Sequence, residues 1–172
     1  MANQPSPPRW TPGEAKVPSI AADLMDPHPP SVRPETRVGD VARLLLERHL
    51  SGVPVVSETG EVLGVVTQAD LVSRHAYVHF PFYLNILGGV IPLTSTRHFR
   101  EEMRRVIGRT AADVMTTDPC VVAEDTDLRE VATRMAEDGA DPVVVVRDGR
   151  LVGLLTRADL VRLIVVEEDT RA

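Results

Sequence analysis

In the second half of the chain, apolar residues at helical spacing are followed by a continuous apolar run that is typical of a strand. Helical spacing (i, i+3, i+4, i+7, i+8) relates five apolar residues: Leu128, Val131, Ala132, Met135 and Ala136. Asp127 with Glu130 forms a helix-start pattern of the capping-box kind, and Gly139 is expected to end the helix. A continuous β-branched run, residues 143–146, then predicts a buried strand.

The same order of elements is predicted in both halves, namely strand, helix, strand, strand, helix. In the second half, a short strand at 120–122 precedes the helix, and a turn at 147–149, a strand at 151–155 and a helix with an apolar face over 158–164 follow the β-branched run. In the first half the corresponding elements are strand 31–32, helix 38–48, strand 53–56, turn 58–60, strand 62–66 and a helix from 68. Each unit has a small sheet with a face that must be covered, and its twin can cover it.

Individual residues repeat as well as elements. The Asp23-x-Met25 sequence returns as Asp113-x-Met115, an offset of 113 − 23 = 90, whereas Thr67-x-x-Asp70 returns as Thr156-x-x-Asp159, an offset of 156 − 67 = 89. We therefore expect one residue to be missing from the second copy, near 138–141. Two copies at so long a period indicate a tandem duplication rather than a solenoid.

Composition and charge narrow the class of protein. A chain of 172 residues with 43% apolar residues can build a core, and a net charge of −6 argues against a nucleic-acid partner. Arginines 100, 104, 105 and 109 lie in a segment that also holds two glutamates, which is typical of a solvated helix face. The single cysteine, Cys120, favours a buried strand residue over a nucleophile and fits a reducing, cytoplasmic location.

Segments outside the repeats are predicted as follows. Residues 1–21 are proline-rich and expected to be disordered, and residues 166–172 form an acidic tail. Residues 74–110 separate the repeats (22–73 and 111–165) and are expected to be a helical insert, because Phe99, Met103, Val106 and Ile107 recur at helical spacing. This insert either docks on the pair or a second subunit, or presents a partner surface. The apolar stretch 80–93 is shorter than the roughly 20 residues that a membrane-spanning helix needs, so we expect no membrane association.

The repeated Thr-x-x-Asp, at the junction of a strand and a helix, has two interpretations. In the first, Thr caps the helix and Asp complements the positive end of its dipole, with no ligand required. In the second, the unpaired N–H groups of the helix start receive a phosphate and the carboxylate accepts the two hydroxyls of a ribose. Both roles can coexist.

The full pattern around this motif resembles a known module. Asp-x-Met, an amphipathic helix, Ser51-Gly52-Val53-Pro54, and Gly-hydrophobic-hydrophobic-Thr-x-x-Asp together resemble the tandem cystathionine β-synthase (CBS) domain pair, also called a Bateman module. The resemblance implies an α+β fold of the α/β-like kind, in which the two motifs pack with pseudo-twofold symmetry around two clefts. It also implies adenosine-based ligands, namely AMP, ADP, ATP or S-adenosylmethionine.

By this resemblance each cleft combines the loop of one motif with the Thr and Asp of the other. The preferred first cleft would comprise Ser31, Ser51, Gly52, Val53, Pro54, Leu154, Thr156, Arg157 and Asp159. The second cleft would comprise Val65, Thr67, Asp70, Ala140, Asp141 and Pro142. We rank it lower because Asp141 replaces a small residue beside the base, the loop has shortened, and Gln68 stands where the first cleft has Arg157.

The predicted function is a non-catalytic regulatory module that needs no cofactor and signals ligand occupancy to an unidentified effector protein. We also expect a homodimer, since the domain pairs of the family associate through their helices. The alternative is a structural or dimerising module with vestigial clefts. A metal site is not expected, because His75 and His79 stand four residues apart without a third ligand at a recognisable spacing.

Overall fold

A computed structural model of the chain describes residues 18–79, 84–86, 89–91 and 109–171. The first half contains α1 (Ala21–Leu24), α2 (Val38–Arg48), β1 (Gly52–Val56), β2 (Val62–Thr67) and α3 (Gln68–His79). After it, β3 (Leu84–Ile86) pairs with β4 (Gly89–Ile91). The second half contains α4 (Ala111–Val114), β5 (Val121–Ala123), α5 (Leu128–Glu137), β6 (Val143–Arg147), β7 (Arg150–Leu155) and α6 (Arg157–Arg171). The predicted α+β class is confirmed.

The amphipathic helices bury the larger residues that their period predicted, whereas Ala132 is half-buried and Ala136 is exposed. Helix α2 buries Val38, Val41 and Leu45, and α5 buries the equivalent Leu128, Val131 and Met135. At the start of α5, the carboxylate of Asp127 accepts a hydrogen bond from the backbone N–H of Arg129 at 2.7 Å. The predicted capping box was wrong in its second member, because the carboxylate of Glu130 pairs with the guanidinium of Arg134 at 2.7 Å.

Two antiparallel hairpins, β1–β2 and β6–β7, form the centre of the two halves. Strand β5 joins the edge of β6 in parallel, whereas the strand expected at 31–32 is reduced to a single bridge between Val32 and Val55. Gly60 and Gly149 adopt positive φ of 84° and 74° in the two hairpin turns.

Strand register corrects the predicted position of the missing residue. Val53 pairs with Val66, and Val143 pairs with Leu155. The offset is therefore already 143 − 53 = 90 in the first strand of each hairpin and becomes 155 − 66 = 89 in the second. The residue is lost in the turn that joins β6 to β7, not near 138–141, and Asp141 is the structural equivalent of Ser51.

The insert is only partly described. Helix α3 continues to His79, and residues 84–86 and 89–91 form a hairpin, which the prediction of a helical insert did not include. The residues on which that prediction depended, Phe99 to Ile107, lie outside the described ranges, as do residues 1–17 of the predicted disordered tail. The prediction of disorder was wrong at the end of that tail, where Ile20 forms a bridge with Asp127 and Ala21 begins α1.

The short entry helices are exchanged between the halves. Ala21, Leu24 and Met25 are at most 4% exposed and pack in the core formed by β5–β7, α5 and α6, whereas Ala111 and Val114 pack in the core of the first half. Backbone hydrogen bonds follow the same exchange, since the N–H of Ala21 donates to Thr126 at 2.8 Å. A third cluster joins the two sheets through Val65, Val144 and Leu154, each at most 3% exposed. Each core is therefore completed by residues from both repeats.

Candidate functional site

The two Thr-x-x-Asp motifs begin α3 and α6, and both make the capping interactions. Oδ2 of Asp70 accepts hydrogen bonds from the backbone N–H and the hydroxyl of Thr67, both at 2.8 Å. Oδ2 of Asp159 accepts the equivalent bonds from Thr156 at 2.9 and 2.7 Å. The hydroxyl of Thr67 also accepts the N–H of Asp70 at 3.1 Å, whereas the N–H of Asp159 donates to the backbone carbonyl of Thr156 at 3.1 Å. Both aspartates therefore bind the start of their helix through Oδ2, which leaves Oδ1 of each for other partners.

The remaining oxygens of these two aspartates differ. Oδ1 of Asp159 pairs with the guanidinium of Arg162 at 3.0 Å. Ser73 occupies the equivalent position after Asp70, and Oδ1 of Asp70 has no hydrogen bond among the described residues. A ribose diol would meet a free acceptor at Asp70 and a competing cation at Asp159.

Close contacts explain the glycine of each Gly-hydrophobic-hydrophobic-Thr sequence. A Cβ on Gly64 would lie 2.5 Å from the carbonyl oxygen of Thr116 and 2.9 Å from Sδ of Met115. Beside it, Val65 and Thr116 exchange backbone hydrogen bonds of 3.0 and 2.9 Å. In the other half, Gly153 lies equally close to Met25. The Asp-x-Met segment of each repeat therefore packs against the glycine of the other repeat, so that the two repeats are joined next to the Gly-hydrophobic-hydrophobic-Thr sequences.

A cavity of about 1120 Å³ lies at the second of the predicted clefts. It is lined by Ser51, Val62, Val65, Thr67, Gln68 and Ala69 from the first half and by Thr116, residues 118–121, Arg134, residues 138–142 and Arg157 from the second. The start of α3 thus faces the loop before β6 across the cavity. A volume of this size is ample for a nucleoside derivative.

The predicted second set is brought together almost completely. Val65, Thr67 and the loop Ala140–Asp141–Pro142 line the cavity, and Asp70 lies one residue beyond its lining, in the cap. Two members of the first set, Ser51 and Arg157, line the same cavity.

Other residues of the first set are placed mainly in β1 and β7. Val53 and Pro54 are fully buried in β1, Gly52 is buried beside Pro142, and Leu154 is 3% exposed between the sheets. Ser31 is exposed next to Val32, whose N–H donates to the carbonyl of Pro54 at 2.9 Å. The ranking of the two clefts stays a prediction, which ligand titration of variants in each cleft can test.

The loop before β1 and the equivalent loop before β6 contact each other. The hydroxyl of Ser51 donates to Oδ1 of its equivalent, Asp141, at 2.9 Å, and the N–H of Arg157 approaches the same oxygen at 3.4 Å. A Cβ on Gly52 would lie 2.6 Å from Cδ of Pro142. The carboxylate that departs from the family pattern therefore links the halves instead of standing alone beside a base.

Both cations of the cavity lining are engaged by the protein. Hydrogen bonds to Glu130 and then to Cys120 raise the pKa of Arg134 above its ordinary value, so this side chain stays charged. The guanidinium of Arg157, expected beside a phosphate, donates to the carbonyl of Met135 at 2.8 Å.

Sequence reasoning missed several lining residues, namely Thr116 and residues 118–121 in the segment after Met115, Arg134 and Asp138. A signal was available for the segment, because it follows the Asp-x-Met that matches in both copies. None was available for Arg134, because the equivalent position in the first copy is Leu44, which packs against the core.

Metal-binding and membrane-spanning features are not found in the described part of the chain. Within those ranges, no group of three His, Cys, Asp or Glu residues is arranged to hold a metal ion, and no helix is both long and apolar enough to cross a membrane. The side chains of His75 and His79 lie outside what the structure describes.

The chain resembles known proteins over most of its length. It is 31% identical over 134 residues to the chloroplastic CBS domain-containing protein CBSX2 of Arabidopsis thaliana, an alignment that covers 76% of this chain and 56% of CBSX2. The chain thus spans about half the length of that relative.

Solved structures agree with this relationship. The crystal structure of CBSX2 in complex with AMP has a TM-score of 0.70 at 28% identity, covering 85% of this chain and 96% of that one. The CBS domain pair of protein MJ0100, in complex with 5′-methylthioadenosine and S-adenosyl-L-methionine, has a TM-score of 0.64 at 21% identity, covering 84% and 98% of the two chains, and supports the fold.

The model of the CBS domain matches twice, at residues 21–77 and 111–166, which together are more than half of the chain. These matches coincide with the two structural repeats and with the cavity that both repeats line. The chain therefore belongs to the CBS domain family and contains a tandem pair of these domains.

Proposed function

We propose that this protein binds an adenosine-based ligand between its two CBS domains and signals the occupancy of the cleft to a partner protein. The observation that carries the proposal is the cavity lined by both repeats, in which the start of α3 faces the loop Ala140–Asp141–Pro142. CBS domain pairs are generally regulatory rather than catalytic, which favours a sensor over an enzyme.

The chemistry of the cavity suits a nucleoside. Val62, Val65 and Pro142 would supply apolar surface for a planar base, and Oδ1 of Asp70, next to the lining residue Ala69 at the start of α3, would accept ribose hydroxyls. The AMP bound by CBSX2 supports an adenine nucleotide, and the ligands of the MJ0100 pair support S-adenosylmethionine as another candidate. By pseudosymmetry the first cleft, with Thr156 and Asp159, is the other candidate site.

Calorimetric titration with AMP, ATP and S-adenosylmethionine tests the proposal. We expect Asp70→Ala to weaken binding in the described cavity, and Asp159→Ala to weaken binding in the first cleft, each by about 10- to 100-fold, because each loses a charge-assisted hydrogen bond to the ribose. Asp125→Ala, which removes an exposed carboxylate outside the cavity lining, is the control.

The rival function is a structural module, and the completed Thr-x-x-Asp caps favour it because they explain the motif without a ligand. In that case neither Asp variant changes any affinity, and the unmutated protein binds none of the three compounds. A stability loss alone, about equal in the two variants, would then be the whole effect.

We further propose that the module acts as a cytoplasmic homodimer that associates through its last helices. Val161, Ile164 and Val165 lie on one side of α6 and are 53–58% exposed, and Val72, the equivalent of Val161 on α3, is 69% exposed. Such a row of apolar side chains is costly to leave in water, and a second copy would cover it.

A further inference from the structure

We propose that the described cavity selects an adenosine derivative whose 5′ substituent is cationic, such as a sulfonium nucleoside, over one that carries phosphates. This inference rests on the proposed function, and it assigns a ligand class to one of the two clefts. It follows from the balance of charges around the cavity and from how that balance differs between the halves.

Two carboxylates of the cavity lining, Asp118 and Asp138, have no hydrogen bond or ion pair among the described residues. Both are exposed. Each therefore presents a full negative charge to whatever enters, without a protein cation that offsets it. A polyphosphate would be repelled by both charges, whereas a sulfonium or ammonium group would be attracted.

The cations of the lining do not reverse this balance. Arg134 is ion-paired with Glu130 at 2.7 Å. Arg157, whose guanidinium donates to the neutral carbonyl of Met135, is one positive charge against three carboxylates of the lining, those of Asp118, Asp138 and Asp141. The positive end of α3 also faces the cavity, but Asp70, in its first turn, already complements it. A phosphate placed there would meet a helix start whose charge is largely balanced.

The first repeat differs in charge from the second at the positions that pseudosymmetry makes equivalent. At the offset of 90, Asp118 corresponds to His28 and Asp138 to Arg48, so that the first repeat has basic residues where the second has acidic ones. The backbone pairing of Asp26 with Leu154 and of Thr116 with Val65 shows that the two entry segments occupy equivalent places. The two repeats therefore differ in charge at equivalent positions, with carboxylates only in the second repeat, and we expect phosphate-bearing nucleotides to favour the first cleft.

The test compares the double variant Asp118→Asn/Asp138→Asn with Asp148→Asn, which removes one exposed charge in the β6–β7 turn outside the cavity lining. Titrations use S-adenosylmethionine and ATP at low and high salt, about 0.05 and 0.5 M. Two unit charges about 8 Å from the ligand charge, in water, change affinity about five-fold. We expect the double variant to bind S-adenosylmethionine about five-fold more weakly and ATP more tightly in this cavity, with both effects reduced at high salt.

Asp70→Ala identifies the cleft in the same experiment. The inference predicts that it abolishes most S-adenosylmethionine binding and leaves ATP binding nearly unchanged. If the protein binds ATP in the cavity, so that Asp70→Ala removes the ATP signal, or if the double variant behaves like Asp148→Asn, the inference is refuted while the proposed function stands. If neither compound binds to the unmutated protein or to Asp148→Asn, the inference is refuted, and the proposed function is refuted with it when AMP also fails to bind.

Discussion

Substitution of Gly64 by alanine tests how the two repeats are joined. The new Cβ would lie 2.5 Å from the carbonyl oxygen of Thr116, which accepts a hydrogen bond from the N–H of Val65, while the N–H of Thr116 donates to the carbonyl of Val65. Backbone cannot move aside as a flexible side chain can, so the backbone pairing between Val65 and Thr116 must open. Overpacking and the loss of these bonds together cost about 2–4 kcal/mol of the free energy of unfolding. At about 2–4 °C for each kcal/mol, the melting temperature should fall by roughly 4–16 °C.

The equivalent substitution, Gly153→Ala, provides a contrast. Its Cβ would contact the side chain of Met25, with Cγ at 2.7 Å, rather than backbone. We expect a cost of about 1–3 kcal/mol that falls once Met25 is shortened, so that adding Gly153→Ala to Met25→Ala costs less than adding it to the unmutated protein, because only the contact with Cβ of residue 25, at 3.1 Å, remains. Gly64→Ala should not be relieved by Met115→Ala, since the carbonyl of Thr116 remains.

Urea unfolding of these variants measures the free energies, with Gly39→Ala as the control. Gly39 lies in α2, where a Cβ would have nothing within 4 Å, so alanine should stabilise the protein by up to about 1 kcal/mol. Because Thr116 also lines the cavity, Gly64→Ala should weaken ligand binding there more than Gly153→Ala does. A Gly64→Ala protein as stable as the unmutated one, or one restored by Met115→Ala, would refute this account of the contact between the repeats.

Three further predictions concern the ends, the loops and the outer helix. Removal of residues 1–17 should leave the melting temperature unchanged. Removal of residues 1–25 should lower it, because Ala21, Leu24 and Met25 complete the core of the second repeat. Calorimetry measures both melting temperatures, and equal values would disprove the exchange of the entry helices. Ser51→Ala deletes the hydrogen bond to Asp141 and should lower the free energy of unfolding, measured in urea, by about 0.5–1.5 kcal/mol. The double variant Ser51→Ala/Asp141→Ala should lower it by little more, because both substitutions remove the same bond. Ile164→Lys, at a position 56% exposed, should shift a dimer to monomer in light scattering while the circular dichroism spectrum stays the same; a dimer that persists would exclude this face.

Much of the fold was predictable because its determinants are local. The spacing of Val38, Val41 and Leu45 specifies a helix whatever lies around it, and the β-branched run at 143–146 specifies a buried strand. The Thr-x-x-Asp caps depend on residues three apart in the chain, so their geometry also followed from the sequence. The duplication, visible in matching residues, led to the family to which the chain belongs.

What only the tertiary structure decided involves residues far apart in sequence. From the loop sequence alone Asp141 was interpreted as a defect in a binding site, whereas in the fold Ser51, ninety positions away, donates to it. Nothing in the sequence pattern distinguished an entry helix packed on its own repeat from one packed on the other, because Ala21 and Leu24 would be equally apolar in either place. The charge of the cavity likewise depends on Asp118 and Asp138 lying on the same cavity, since that proximity is produced by packing and leaves no local pattern in the chain.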